Sequence, residues 1–223
     1  MEQSVGSARV ARLDDKDAIS VAGGLYLPLR RLLGVRAFGI NGYTARAAGE
    51  QLIEQHDETG AGSGHQEEAY IVVFGHALFT INAEEIDAPA GTIVFVPDIT
   101  ATRSAIATLP NTTAIVVGGP ANRPLPISPF EYWYVAEAPY RQGDYQRAID
   151  ITTEGLEQWP HHPTIHYQLA CYHSLAGHND HALEHLAEAV AADANVRTWA
   201  STDSDLDPIR SDARFVSITS QNG

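Results

Sequence analysis

Residues 65–75 read HQEEAYIVVFG and are followed at once by HALFTI. A histidine, two adjacent carboxylates and an apolar β run are parts from which a metal centre can be built. His56 lies nine residues before His65, across the small-residue stretch DETGAGSG. A divalent transition ion needs three or four donors at about 2.0–2.3 Å. His56, His65 and Glu68 are therefore the candidate ligands, for zinc, iron, manganese or nickel. Alternate residues of a strand share a face, so a Glu68 turned inward takes Tyr70, Val72 and Phe74 with it. Glu67 and His65 then turn outward, and His65 joins Glu68 only through a bulge or the strand's end. Without a metal, a histidine–carboxylate pair can still serve as a general acid and base.

Seven of the ten histidines fall between residues 161 and 185. His181 and His185 are four apart, a spacing that puts two imidazoles on one helix face, but the glutamate of an HExxH site is missing. The apolar pattern buries Ala182, Leu183, Leu186 and Ala189, so these histidines are expected on the solvated face. Cys171 is mid-helix, with His166 and His173 close in sequence, and is expected to pack rather than react. As the single cysteine it also excludes an internal disulfide. GAGSG (60–64) has neither the lysine nor the strand-to-helix context of a phosphate loop.

The elements that position these groups fall into two halves. From Arg36 to Gly119 short β-type runs rich in Val, Ile and Thr alternate with turn signals such as NAEE and LPNTT. GGPANRPLPISP (118–129) carries four prolines and interrupts the pattern. Beyond it the period becomes helical, opening at a capping box from Ser128 to Glu131 with Pro129 at the first helical position. GDYQRAIDITTEGL and GHNDHALEHLAEAV then repeat at an offset of 34 residues, matching Gly143 with Gly177, Ala148 with Ala182, Ile149 with Leu183 and Leu156 with Val190.

The net charge of −14 leaves no basic face for phosphates, so nucleic acid is not an expected partner. No apolar run reaches the ~18–20 residues of a membrane span, and the first residues lack the layout of a signal peptide. A cytoplasmic protein is expected.

The first half resembles the cupin superfamily. Glu68 stands seven residues before Gly75, and GTIVFVP (Gly91 to Pro97) has the opening of that family's second motif. The resemblance implies an antiparallel β-barrel (a double-stranded β-helix) and metal ligands at four positions, of which only Glu68 carries a donor. Its two histidines fall on 61–64, here Ala61, Gly62, Ser63 and Gly64, and its last falls near Thr102. Arg103 beside that position would pair with Glu68 or with an anionic ligand. His56, His65, Glu68, Tyr70 and Arg103 could thus line a small-ligand pocket. The second half resembles tetratricopeptide repeats, stacked helix pairs that present grooves to other proteins.

The expected architecture is α+β with two domains. An N-terminal extension (1–33) precedes a cupin-like barrel (34–122) and a linker (123–128). Two tetratricopeptide-like repeats (129–196) and a capping segment (197–223) follow. The favoured function is a non-catalytic binding or adaptor protein, with a small ligand in the barrel and a protein partner on the helices. A metal-dependent enzyme using His56, His65 and Glu68 is the first alternative, and a self-associating structural module the second.

Overall fold

The structure, a computed structural model, describes residues 3–5, 8–13, 18–21, 24–60 and 64–220. The family positions at Ala61, Gly62 and Ser63 lie outside the described residues. The chain divides into two compact units, residues 1–124 and 125–223.

In the first unit β1 (Gln3–Val5) and β2 (Ala8–Val10) pair with each other. The elements that follow are β3 (Ile19–Val21), β4 (Gly24–Leu27), helix α1 (Leu29–Leu33), β5 (Gly39–Ala45), β6 (Gln51–His56), β7 (Gln66–Phe74), β8 (His76–Ile81), β9 (Glu84–Pro89), β10 (Ile93–Val96), β11 (Arg103–Ala107) and β12 (Thr112–Pro120). Ten of these strands form two antiparallel sheets, in the orders β10-β7-β12-β5-β4-β3 and β6-β11-β8-β9. Ile19–Val21 and Gly24–Leu27, expected in an extension outside the β domain, supply the edge strand β3 and its neighbour β4 of the larger sheet.

The inner faces of both sheets share one core. Tyr70, Val72, Ala114 and Val116 from the larger sheet meet Ile53, Ala77, Phe79 and Ala105 from the smaller. The Tyr70 and Phe79 rings lie 5.5 Å apart in a tilted arrangement, a geometry that adds to simple area burial. At about 25 cal/mol per Å² of apolar surface, one side chain such as Phe79 contributes roughly 2–3 kcal/mol.

Strict alternation predicts Phe74 on the inner face, and here the structure differs. The register between β7 and β12 slips between Phe74↔Thr113 and Val72↔Ala114, so two residues of β7 are spent on one step of β12. This bulge turns Phe74 outward, where it is 59% exposed. Gly75 then adopts φ +76°, and a Cβ there would sit 2.4 Å from the Thr112 hydroxyl and 2.7 Å from the Thr112 Cα. The hydroxyl is fixed in place, accepting from the His76 amide (3.1 Å) and donating to the Leu109 carbonyl (2.6 Å). Only glycine satisfies both the left-handed backbone and the contact.

The second unit holds α2 (Pro129–Arg141), α3 (Tyr145–Glu154), α4 (Pro163–Leu175), α5 (Asn179–Ala192), α6 (Val196–Thr202) and α7 (Ala213–Thr219). The Ser128 hydroxyl caps α2 by accepting from the Phe130 amide, with Pro129 opening the helix. The 34-residue offset maps onto the turns, since Gly143 and Gly177 close the α2–α3 and α4–α5 hairpins at φ +77° and +79°. Ala148, Ala182, Leu183, Leu186 and Ala189 are buried, as the pattern requires. Leu206, Ile209 and Phe215 of the tail pack into the same core. The proline-rich stretch before α2 is tied to this unit: Trp159 donates from its indole to the Ile127 carbonyl (2.7 Å), and the Ile127 amide donates to Gln158 (2.9 Å). Among the described residues no helix is long and apolar enough to cross a membrane.

The Gly75 geometry yields the first prediction. Gly75→Ala should destabilise the first unit by about 2 kcal/mol or more, read as a lower urea midpoint. An unchanged midpoint would mean that Thr112 is free to move away.

Candidate functional site

The chemistry-bearing residues of the first unit meet where the two sheets adjoin. β7 of the larger sheet brings Glu68 and Tyr70, two apart and so on one face. The smaller sheet brings His56 and Arg103, which stand opposite each other in the β6–β11 register. Gly118, opposite Glu68 on β12, leaves room for the carboxylate, since a Cβ there would come within 3.3 Å of Glu68 Cγ.

One carboxylate oxygen is the focus of the site. Glu68 Oε2 accepts from the Tyr70 hydroxyl and from Arg103 Nη1 at 3.4 Å, and His56 Nε2 stands 3.6 Å away. Arg103 is only 1% exposed, and its Nη2 donates to the Asp98 carbonyl (2.8 Å). His56 donates from Nδ1 to the Glu54 carbonyl (2.7 Å). That bond leaves Nε2 as the site that gains or loses a proton, facing Glu68 and, at 3.9 Å, Glu58 Oε1.

The electrostatics follow from this packing. The Glu68 carboxylate facing Nε2 raises the His56 pKa above 6.5 against the opposing effect of burial. Burial alone would raise the Glu68 pKa, but the contact with His56 and the hydrogen bond from Tyr70 outweigh it and hold the group below its usual value. Burial, reinforced by the Glu68 charge, pushes the Tyr70 phenol far up, so it stays a donor. Tyr43 is pushed up to about 12 by burial and by its neighbours Tyr26, Glu68 and Glu54.

His56, Glu68, Tyr70 and Arg103 of the expected set come together, and His65 does not. His65 precedes β7 at φ +49° and is exposed; it stands on the outward parity of the strand, and no bulge brings it back. The group with spacing suitable for an ion is instead His56, Glu58 and Glu68, with one donor atom each within 4.8 Å. Glu58 was hidden in a stretch that reads as a loop. It is 6% exposed, and its Oε2 accepts from the amides of Gly64 and Gln66, 3.1 and 3.3 Å away. The only sequence signal for it was a carboxylate two residues after a histidine. Thr102 turns away to Asn82, whose side chain accepts from its amide at 2.9 Å. Arg103 does pair with Glu68, 3.4 Å away, and its guanidinium is buried.

His56, Glu58 and Glu68 could hold an ion, and Arg103 competes with it for the Glu68 carboxylate. A divalent ion bound to Glu68 Oε2 would lie about 5 Å from the Arg103 guanidinium, and at an effective dielectric of about 20 the two would repel by about 7 kcal/mol. That oxygen also already serves Tyr70 and Arg103. Beside the cluster runs a cleft of about 430 Å³, lined by Tyr26, Tyr43, Thr44, Gln51, Glu54 and His56 among others. The Tyr26 and Tyr43 rings lie 5.3 Å apart, with the Tyr26 hydroxyl fixed on Asn41 (2.8 Å).

No protein-family model matches the chain, and no curated protein matches it. Solved structures are similar over about half of it. A cupin protein from Bacteroides fragilis is 18% identical, covering 49% of this chain and 88% of its own, at a TM-score of 0.40. KdgF from a Halomonas species is 15% identical over 48% of this chain and 90% of its own, at 0.39. A predicted oxalate decarboxylase from Thermotoga maritima is 17% identical over 45% and 88%, at 0.34.

The His56–Glu68 contact predicts a pH dependence. Because the folded His56 pKa is raised, its contribution to stability is complete below the unfolded value near 6.5. It is lost as pH rises through the folded value. An NMR titration should place His56 above 6.5 and Glu68→Gln should lower it; a His56 pKa that ignores Glu68→Gln would contradict the pairing.

Proposed function

We propose that the first unit is a cupin-like domain that binds a small, neutral, hydroxylated ligand in the Tyr26–Tyr43 cleft, with no metal at Glu68. The observation that carries this reading is the buried Arg103 guanidinium on Glu68, a fixed cation that competes with a metal for the same oxygen. The cleft volume falls in the range of small-molecule pockets. Two phenol rings supply apolar faces, and Gln51, Thr44, Glu54 and His56 supply polar edges, a combination suited to a molecule of monosaccharide size. Glu54, Glu58 and Glu68 outnumber His56 and Arg103 locally, which favours a neutral ligand over an acidic one.

The helical unit, read as two tetratricopeptide-like repeats, is proposed to dock a protein partner. Its period, its glycine turns and the exposed Phe130, Tyr134 and Val135 on α2 support this. Catalysis at a metal held by His56, Glu58 and Glu68 is the second reading. The bond from His56 Nδ1 to the Glu54 carbonyl favours it, because outer-shell bonds of this kind orient metal-binding histidines.

Saturation-transfer NMR with glucose, galactose, ribose and glucuronate tests the ligand reading. Neutral sugars should give signals that Gln51→Ala and Tyr43→Ala weaken, and glucuronate should give less. No transfer from any of them, together with stoichiometric metal that Glu68→Gln removes, would replace this reading with the second.

A further inference from the structure

The histidines expected on a solvated face are arranged otherwise. His166 of α4 is 6% exposed, and His173 and His185 are partly buried. They form a seam between α4 and α5. His166 Nδ1 lies 3.0 Å from His185 Nδ1, and the His185 ring stacks on that of His173, with centroids 5.4 Å apart and planes 12° apart. His173 Nδ1 lies 3.3 Å from His178 Nδ1, and the His181 ring lies 5.3 Å from that of His173. His161, His166 and Glu188 form a group with one donor atom each within 4.8 Å.

We infer that this seam is a transition-metal site, in which His166 and His185 bind one zinc-class divalent ion through their Nδ1 atoms and His161 and Glu188, which are grouped with His166 but not with His185, turn in to complete the shell.

Four observations carry the inference. With bonds of about 2.0–2.1 Å, two nitrogens on a tetrahedral ion are about 3.3 Å apart, so the pair at 3.0 Å is close to its liganding separation. His166 Nε2 donates to the Pro160 carbonyl at 2.8 Å. This fixes its neutral tautomer with the Nδ1 lone pair turned to His185, the outer-shell support that metal-binding histidines usually have. In neutral His185 a shift of the tautomer from Nδ1–H to Nε2–H frees the Nδ1 lone pair that faces His166. Glu188 lies one turn after His185, and residues 126–223 carry 14 acidic against 5 basic side chains, so the surroundings favour a dication. Imidazole and carboxylate donors together suit zinc, copper and nickel. Among the described residues the cation paired with α5 is Arg214, which is held by Asp180 at 2.9 Å.

The test uses the untagged full chain and Zn(II), in competition with a chromophoric chelator. One equivalent should bind, and long-range ¹H–¹⁵N spectra should show the Nδ1 signals of His166 and His185 moving together. His185→Ala should weaken binding by at least the 10–100-fold that loss of even an outer-shell partner costs. His76→Ala, outside both histidine groups and paired with Asp87, should leave it unchanged. Zinc that binds no more tightly to the wild type than to His185→Ala would overturn the proposal. So would shifts confined to the exposed His178 and His181, the mark of adventitious chelation. The nitrogen spectra of the wild type decide the matter even where His185→Ala folds poorly.

Discussion

The first unit depends on a buried charge pair between its two sheets. Arg103 comes from the smaller sheet and Glu68 from the larger, and neither could be buried alone without a penalty of several kcal/mol. Burying them together fixes how the sheets adjoin at that end. Tyr70 and His56 complete the carboxylate's partners, and the Asp98 carbonyl takes the second guanidinium nitrogen. The same pair sets the chemistry. Through Glu68 it raises the His56 pKa and keeps the Tyr70 phenol neutral, and it places a positive charge beside the oxygen that a metal ion would share.

The second unit solves a different problem with the same residue type. In the first unit a histidine is surrounded by carboxylates and its pKa rises. In the seam between α4 and α5, histidines surround one another and are partly buried, so those of His173 and His185 fall to about 4. Protonated imidazoles would repel across 3 Å contacts, whereas neutral ones can share a proton or an ion. Environment, not residue identity, thus separates an ion-paired histidine from a ligand-ready one.

Much of the fold was legible in the sequence. The β runs, the Ser128 cap, the glycine turns at Gly143 and Gly177 and the buried alanines of α5 all follow from local rules of propensity and period. The departures have identifiable causes. Phe74 faces out because a bulge breaks the alternation, and a bulge depends on the partner strand, which a single-strand pattern does not contain. His65 falls outside the cluster because β7 begins after it. Glu58 enters because a residue in an apparent loop folds back to accept two amides. The histidine seam was missed because the helical pattern assigns faces to one helix at a time. A residue on the outer face of α4 is covered when α5 brings another histidine against it.

The most direct test of this account is a double-mutant cycle between Arg103 and Glu68, measured by urea unfolding of the first unit within the full chain. Arg103→Met alone should cost about 2–4 kcal/mol, because it leaves a largely buried carboxylate without its cation. In an Arg103→Met, Glu68→Gln double variant much of that loss should be recovered, with a coupling of at least about 1 kcal/mol. Additivity to within about 0.3–0.5 kcal/mol would contradict the account, since the two side chains would then be neighbours without being partners.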